Sequence, residues 1–285
     1  MKIVDIIKPI GQCYGVNNAI QIAKQAAIDN PNKHVNIFGL LVHNNDVKKE
    51  LENLNIKTIE VEDGQEIDIL KSFKKDDLVI FTAHGHPKAF EEVLNNMGIS
   101  FIDTTCPIVQ KSFDLIKQAK ETIYIGKNGH PETKAALTMN NKVHLYDIRS
   151  GLDYSKIETK DPLVINQTTL SFLELEEIHK DIKNHIKNAN ILDEICNVTM
   201  LRQKAIRNIS NDVEVIIVVG SKKSSNTLKL FEVANSFHSG KHILFVENIN
   251  DIKEDLSRYN HFAITGGTST PLSKIEEIKQ YLEAL

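Results

Sequence analysis

Three cysteines are the residues of this chain whose type and spacing most directly suggest chemistry. Cys13, Cys106 and Cys196 stand at nearly equal intervals along 285 residues, and no two of them form a C-x-x-C pair. An odd number of widely separated cysteines argues against a disulfide framework. The even spacing instead predicts three similar units, each of which brings one thiolate to a shared metal centre. The alternative is that each cysteine is a small buried apolar residue.

The residues around the cysteines favour the metal centre. Pro107 suits the first position of a helix, and Cys13 and Cys196 also precede helical patterns. A helix N-terminus stabilises the thiolate, which is the form that binds metal. Zinc also accepts three cysteines, but its structural sites normally use paired C-x-x-C knuckles. Three isolated thiolates fit a cuboidal iron–sulfur cluster better than a zinc site, because three ligands leave the fourth iron of the cluster open to substrate. An open iron acts as a Lewis acid, which predicts removal or transfer of an oxygen group on a small anionic substrate.

Polar side chains gather at the ends of six predicted strands, where open α/β sheets bind their ligands. They are His43, Asn44, His84, His86, His130, Glu132, Thr168, Thr169, Ser224, Ser225, Asn226, Thr268 and Ser269. Few lysines or arginines accompany them, so the set suits a polyanion held by hydrogen bonds, and the diphosphate of a small ester is the natural candidate. His130 and Glu132, and the run from Ser224 to Asn226, are also explained as helix caps. The sequence leaves the role of His86 open.

The elements that must position these residues alternate between β-branched runs and helical patterns. Buried strands are predicted at 35–39, 78–85, 122–126, 162–167, 213–220 and 261–267. This alternation predicts an α/β fold with mainly parallel sheets. A similar order of helix, strand and polar loop follows each cysteine. It predicts units at 14–105, 106–195 and 196–285, with a first strand in residues 1–13 that completes the sheet of the third unit.

Composition limits the remaining possibilities. A chain with 41% hydrophobic residues can bury a substantial core. The net charge of −4 gives no basic bias of the kind that nucleic-acid binding needs. The N-terminal apolar run is too short for a signal peptide, and we expect no membrane span. With its thiols reduced, the protein is expected to be cytoplasmic.

Nine short motifs, taken together, resemble the LytB/IspH family. They occur in family order between residues 11 and 271 and read "GQCYGV", "LVHN", "TAHG", "DTTCP", "GKNGHPE", "NQTTLS", "EIC…RQ", "VVGSKKSSN" and "TGGTSTP". The resemblance implies a pseudo-threefold trefoil of three α/β units around one [4Fe-4S] cluster per chain. It also implies the last step of the non-mevalonate isoprenoid pathway, the reductive dehydroxylation of 4-hydroxy-3-methylbut-2-enyl diphosphate to isopentenyl and dimethylallyl diphosphate.

The resemblance also implies roles for individual residues. Cys13, Cys106 and Cys196 would hold three of the irons, and Glu132 would supply a proton that Thr168 relays to the leaving hydroxyl. The residues implied to bind substrate are His43, His84, His130, Thr168, Ser224, Ser225, Asn226 and Ser269. The chain departs from the family pattern at Gln12, Val198 and Met200. None of these departures removes a side chain to which a role is given above, so we expect them to affect local packing rather than activity.

Two other functions stay open at the level of the sequence. One is an aconitase-like hydro-lyase that uses the open iron only as a Lewis acid. The other is a redox-inert protein that binds phosphorylated metabolites. For a reductase, no ferredoxin or flavin domain is recognisable in the chain, so we expect electrons from a separate protein of the ferredoxin or flavodoxin type.

Overall fold

Helices and strands alternate along the chain, as the sequence predicts. The computed structural model describes residues 2–42, 44–192 and 196–285. In these ranges the strands are β1 Ile3–Ile6, β2 His34–Phe38, β3 Lys57–Ile59, β4 Asp77–Phe81, β5 Ser100–Asp103, β6 Thr122–Gly126, β7 Val143–Asp147, β8 Leu163–Asn166, β9 Asn190–Ile191, β10 Val215–Val219, β11 His242–Val246 and β12 His261–Gly266. The helices are α1 Tyr14–Asp29, α2 Asn45–Glu52, α3 Glu66–Ser72, α4 Lys88–Met97, α5 Pro107–Gln118, α6 Pro131–Ala136, α7 Phe172–His185, α8 Asn197–Arg207, α9 Ser225–Phe237 and α10 Leu272–Glu283. None of the helices in these ranges is both long and apolar enough to cross a membrane.

The described strands form three parallel sheets of four strands with one shared topology. The strand orders are β3-β2-β4-β5 in the first sheet, β7-β6-β8-β9 in the second and β11-β10-β12-β1 in the third. In each sheet, the strand that follows a cysteine-led helix pairs with the next two strands of the chain. The predicted α/β class with three similar parallel units is therefore confirmed. The residue limits of those units stay a prediction.

The first strand of the chain completes the last sheet, as the sequence predicts. β1 pairs in parallel with β12, with Ile3 opposite His261 and Ile6 opposite Ile264. The segment after β1 then follows the end of β12, where the N–H of Cys13 donates to the carbonyl oxygen of Thr268 at 3.0 Å. The pairing thus fixes the backbone at one of the three cysteines.

The chain divides into two compact units. The terminal unit comprises Met1–Cys13, Thr169–Leu175 and Ile195–Leu285, and the central unit comprises Tyr14–Thr168 and Glu176–Glu194. The terminal unit contains the third sheet, and the central unit contains the first and second sheets.

The central strands pack apolar side chains on both faces of their sheet, which explains why their sequences are nearly continuous apolar runs. In the first sheet, Ile37 and Ile80 belong to a core cluster with residues of α1 and α2. Their neighbours Phe38 and Phe81 point to the opposite face and pack with Leu94 of α4. The side chains alternate between the two faces as successive strand residues must.

Five strands are missing from the sequence prediction, and all five lie at sheet edges: β3, β5, β7, β9 and β11. Apart from Val246, their residues are half-buried or exposed. Edge strands that are short and partly exposed can carry polar residues, and β3, β5, β7 and β9 lack the long apolar run that marks a central strand. The sequence therefore predicted the sheet centres and one edge strand, β1, but not the other five edge strands.

Candidate functional site

Glu132 is a buried carboxyl group in the central unit, at the start of a short helix. Its helix, α6, begins at Pro131, and proline is favoured at the first position of a helix. The next residue, Glu132, is only 1% exposed. Oε1 accepts hydrogen bonds from the Tyr124 hydroxyl at 3.0 Å and from the Thr168 N–H at 2.8 Å. The Thr168 hydroxyl lies 2.8 Å from Oε2. The structure therefore brings together the residue predicted to supply a proton and the residue predicted to relay it.

Burial is what gives the Glu132 carboxyl an unusual acidity. It raises the pKa of Glu132 to about 7, although the hydrogen bonds from Thr168 and Tyr124 each lower it. An ordinary glutamate is ionised at neutral pH, whereas Glu132 holds its proton up to that range. A buried carboxyl with a pKa near the working pH suits a general acid.

Tyr124 is a site residue that the sequence analysis missed. It is the third residue of β6 and is wholly buried, and in the sequence it belongs to a run of core residues. A buried tyrosine normally finds a partner for its hydroxyl. The available signal was therefore a tyrosine inside a buried strand, two residues before the glycine at which that strand ends.

His130 is both a helix cap and the neighbour of a second predicted histidine. Its Nδ1 accepts the Glu132 N–H at 3.2 Å, which is the capping role considered from the sequence. Its ring meets the His84 ring edge-on, with centroids 5.6 Å apart. The Nδ1 atom of His84 lies 3.2 Å from Oγ1 of Thr82. These two histidines and Glu132 thus form one cluster in the central unit.

In the terminal unit, three predicted binding residues lie where α9 begins. Ser224 is its N-cap, and its hydroxyl accepts the Thr227 N–H at 3.3 Å, so the capping interpretation is confirmed for this residue. Asn226 is 3% exposed, and among the described residues neither atom of its side-chain amide has a hydrogen-bond partner. Buried amides are nearly always paired. An unpaired one is expected where a ligand supplies the partners.

Close packing brings α9 against the end of β12. A Cβ atom on Gly267 would clash with the side chain of Thr227, so glycine is needed there. Ser269 follows in the same loop and is buried. The Thr169 hydroxyl donates to the Ser225 hydroxyl at 3.4 Å. The predicted hydroxyl groups of the terminal unit therefore lie at strand ends and at the start of α9.

The three cysteines, all of them among the described residues, form no disulfide, and each is of intermediate exposure. Cys106 is the N-cap of α5 and Cys196 the N-cap of α8, and Cys13 directly precedes α1. The predicted positions at helix starts are thus confirmed. A Cβ atom on Gly15 would stand 2.7 Å from the Cys106 sulfur, so this glycine leaves room for the sulfur. The helix N-termini favour the thiolate form of such groups.

Arg202 is a buried guanidinium close to two of these cysteines, and its role also escaped the sequence analysis. It donates to the carbonyl oxygens of Gly266 and Gly11, the latter at 2.6 Å. Burial lowers its pKa, while the negative charges of Cys13 and Cys196 oppose that change. Arg202 therefore joins the segment before Cys13 to the end of β12, and its positive charge offsets thiolate charge nearby.

His86, whose role the sequence left open, is a core residue of the central unit. Its ring stacks on Phe81 with centroids 3.8 Å apart. Its Nε2 lies 3.0 Å from Oε1 of Glu91, and its Nδ1 lies 3.8 Å from Oδ1 of Asp103. These contacts join α4 to the end of β5.

The predicted ligand His43 lies outside the described residues. Its neighbour Asn44 is the N-cap of α2, and its Oδ1 atom accepts the N–H groups of Asp46 at 3.0 Å and Val47 at 3.1 Å. For Asn44, the structure therefore favours a capping role.

Comparison with known proteins gives consistent matches over almost the whole chain. A protein-family model described as LytB protein matches residues 4–283. The 4-hydroxy-3-methylbut-2-enyl diphosphate reductase of Malacoplasma penetrans is 36% identical over 282 residues, which cover 95% of this chain and 93% of the relative. The enzyme of the same name from Bacillus subtilis is 35% identical over 289 residues, covering 98% of this chain and 91% of the relative. Among solved structures, the E-1-hydroxy-2-methyl-but-2-enyl-4-diphosphate reductase of Plasmodium falciparum matches with a TM-score of 0.86 and 26% identity. That match covers 98% of this chain and 87% of the other.

Proposed function

The chain belongs to the LytB protein family, and we propose that it reduces 4-hydroxy-3-methylbut-2-enyl diphosphate to isopentenyl and dimethylallyl diphosphate, the last step of the non-mevalonate isoprenoid pathway. The reaction replaces the substrate hydroxyl by hydrogen, consuming two electrons and two protons and releasing water. The observation that carries the proposal is the buried Glu132 carboxyl, with its pKa near 7, in direct contact with Thr168.

The proton is needed because hydroxide is a poor leaving group. Glu132 acts as the acid that lets the oxygen leave as water, and Thr168 carries the proton from the carboxyl to the substrate. The burial that raises the pKa of Glu132 also keeps bulk water from competing for this proton. Two residues of the central unit thus supply the acid chemistry.

Family membership implies an iron–sulfur enzyme, and we propose that Cys13, Cys106 and Cys196 hold one [4Fe-4S] cluster per chain. Soft thiolates are the ligands that such clusters require. The assignment is supported by the position of the three cysteines at helix starts, by the room that Gly15 leaves and by the charge of Arg202. When bound, the cluster supplies single electrons and an open iron that acts as a Lewis acid. Its electrons would come from a separate ferredoxin- or flavodoxin-type protein.

We propose that the diphosphate is bound by the side chains that the family motifs indicate. In the central unit these are His84 and His130, and the family motifs also indicate His43. In the terminal unit they are Ser224, Ser225, Asn226 and Ser269. The unpaired amide of Asn226 supports this assignment most directly, because it offers a donor and an acceptor in a buried place.

Asn226→Ala is expected to weaken binding of isopentenyl diphosphate by roughly 1–3 kcal/mol, the usual worth of a hydrogen bond to a charged group. Thermal stability should be unchanged or higher, because the substitution removes a buried amide that has no partner in the free protein. Titration calorimetry and thermal unfolding measure the two effects.

Asn235→Ala is the matched control, because Asn235 lies exposed on the same helix and its amide donates to the Phe231 carbonyl oxygen. It should bind the diphosphate as wild type does. Unchanged affinity in Asn226→Ala would show that this amide does not face the ligand.

The proposed function is tested by an anaerobic assay with a chemical reductant and the hydroxylated diphosphate. We expect oxidation of the reductant only when substrate is present, in protein that carries roughly four irons and four sulfides per chain. A hydro-lyase would convert substrate without consuming reductant. A binding protein would contain no cluster and convert nothing.

We also propose a cytoplasmic location, because the three described cysteines form no disulfide, as is usual in a reducing compartment. A function without nucleic acid stays a prediction from the net charge of −4.

A further inference from the structure

The two oxygens of the Glu132 carboxyl have different surroundings. Oε1 receives two donors, the Tyr124 hydroxyl at 3.0 Å and the Thr168 N–H at 2.8 Å. Oε2 contacts the Thr168 hydroxyl at 2.8 Å. The acid of the proposed reaction is therefore held asymmetrically, and the asymmetry decides where its proton sits.

The donors at Oε1 leave no place for an acidic proton there. A backbone N–H can only donate, so a proton on Oε1 would face the Thr168 N–H directly. The pKa of Tyr124 is raised well above its ordinary value by burial and by the neighbouring Glu132, so its hydroxyl keeps its proton. The Thr168 hydroxyl, by contrast, both donates and accepts. Oε2 is therefore the oxygen that carries the proton when Glu132 is neutral.

We propose that Tyr124 is a positioning residue that directs the acidic proton of Glu132 onto Oε2 and so toward Thr168. The proposal rests on the proposed reaction, in which Glu132 is the acid. In the step, the proton on Oε2 passes to Oγ1 of Thr168 while the Thr168 hydroxyl proton passes to the substrate oxygen. The C–O bond breaks, the oxygen leaves as water, and the carbon keeps the two electrons from the reductant and takes a second proton from the medium. Thr168 is unchanged, and the Glu132 carboxylate that remains is stabilised on Oε1 by the Tyr124 hydroxyl and the Thr168 N–H.

Few other ionisable groups face this carboxyl in the described part of the central unit. His130, at the N-cap of α6, accepts the Glu132 N–H, and its ring contacts that of His84. Lys134, also on α6, pairs with Asp63 and Glu66, each at 2.5 Å. Tyr124 of β6 is thus the ionisable side chain that bonds the carboxyl directly.

Tyr124→Phe tests the proposal through the pH dependence of turnover. In wild type, activity should fall above about pH 7 as Glu132 loses its proton. The Tyr124 hydrogen bond stabilises the carboxylate and lowers the pKa of Glu132, so its removal raises that pKa. The alkaline limb should therefore move up by about one pH unit, the worth of one hydrogen bond to a charged group. Below the limb, turnover should fall by less than the roughly 10²–10⁴-fold that a positioned acid contributes, because Oε1 loses one of the two donors that hold the proton on Oε2 and keeps the other, the Thr168 N–H.

Tyr154→Phe is the control, because Tyr154 also donates to a carboxylate of the central unit, Asp181, at 2.7 Å. Its pH profile should match wild type. A merely structural role for Tyr124 would lower stability and turnover equally at every pH and leave the limb in place. That result would overturn the proposal.

An infrared titration measures the pKa of Glu132 directly, so it tests the role of Tyr124 without an activity assay. The carboxyl C=O band of Glu132, identified by its loss in Glu132→Gln, should titrate near pH 7 in wild type and at higher pH in Tyr124→Phe. If wild type lacks reductase activity, the proposed function fails, yet this titration still reports on the Tyr124 hydrogen bond. An unmoved band would refute the inference even in an active enzyme.

Discussion

Glu132→Gln protein is expected to reduce substrate roughly 10²–10⁴-fold more slowly than wild type, the usual value of a positioned acid. Glutamine reproduces the protonated carboxyl in shape. Its carbonyl can accept from Tyr124 and from the Thr168 N–H, and its amide can donate to the Thr168 hydroxyl at the position of Oε2. The hydrogen bonds therefore survive, and only the transferable proton is lost. Cluster content and affinity for substrate should stay at wild-type levels.

Stability distinguishes this result from that of a helix cap. The raised pKa of Glu132 means that the folded protein binds this proton more tightly than the unfolded chain does. The free energy of unfolding therefore falls as the pH rises from the ordinary carboxyl pKa to about 7, and this cost remains in full above pH 7. Glutamine removes that cost, and the variant should be as stable as wild type or more stable above pH 7. If Glu132 served only the helix dipole, the substitution would cost a few tenths of a kcal/mol and leave turnover nearly intact.

Glu121→Gln is the matched control, because Glu121 is equally buried in the central unit but lies in a different setting. Burial raises its pKa, yet hydrogen bonds from Thr159 and the Glu158 N–H outweigh burial and leave the pKa below its ordinary value. Glu121→Gln should therefore lose stability and keep turnover. Thr168→Ala should show a milder form of the Glu132→Gln defect, since water can replace a relay hydroxyl. Single-turnover reduction in cluster-replete protein is the measurement, and a Glu132→Gln rate within about threefold of wild type would contradict the role as acid.

Replacing any one of Cys13, Cys106 and Cys196 by serine is expected to abolish or severely deplete the iron–sulfur cluster, and turnover with it. Serine presents a harder, weaker ligand than thiolate at the same position. In wild type, the Cys106 sulfur fills the space beside Gly15, where a Cβ atom added to the glycine would stand only 2.7 Å from it. The smaller serine oxygen of Cys106→Ser would leave a gap there. Iron and sulfide per chain after anaerobic reconstitution, with the brown absorbance, give the result.

Thr105→Ser is the control for the Cys106 variant, because it changes the adjacent residue and keeps the hydroxyl that donates to Asp103 at 2.5 Å. It should bind the full complement of iron and sulfide. Full occupancy and activity in one of the cysteine variants would remove that cysteine from the metal centre.

The central strands of the sheets were predictable from sequence, whereas β1 was the one edge strand among the described strands that was predicted. β4 and β10 are buried on both faces and read as unbroken apolar runs. β3 and β7 have partly exposed residues at the sheet edge and read as polar loop. The position of an edge strand depends on pairing with a neighbour that lies far away in the sequence, and local periodicity does not encode that neighbour.

The candidate site divides in a similar way. Cys106 stands out as an isolated cysteine in an evenly spaced set of three, and Glu132 as a polar residue after a strand whose acid role the family resemblance implies. Tyr124 and Arg202 do not, because their roles arise from atoms placed by the fold. The Tyr124 hydroxyl meets a residue of α6, and the Arg202 guanidinium meets the carbonyl of Gly11, which precedes it by most of the chain. A backbone carbonyl has no signature in a sequence, so no motif could have indicated that contact.

The pairing of β1 with β12 has a consequence for biosynthesis. Ile3 leaves the ribosome long before its partner His261, because most of the given sequence lies between them. At 5–20 residues per second, β1 waits on the order of ten to fifty seconds for its partner. Until then the segment that carries Cys13 lacks the Thr268 carbonyl, and Arg202, which bonds the Gly11 carbonyl of that segment, lacks its own partner, the Gly266 carbonyl of β12. Loading of the metal centre should therefore follow translation, and a nascent chain stalled before β12 should not retain iron.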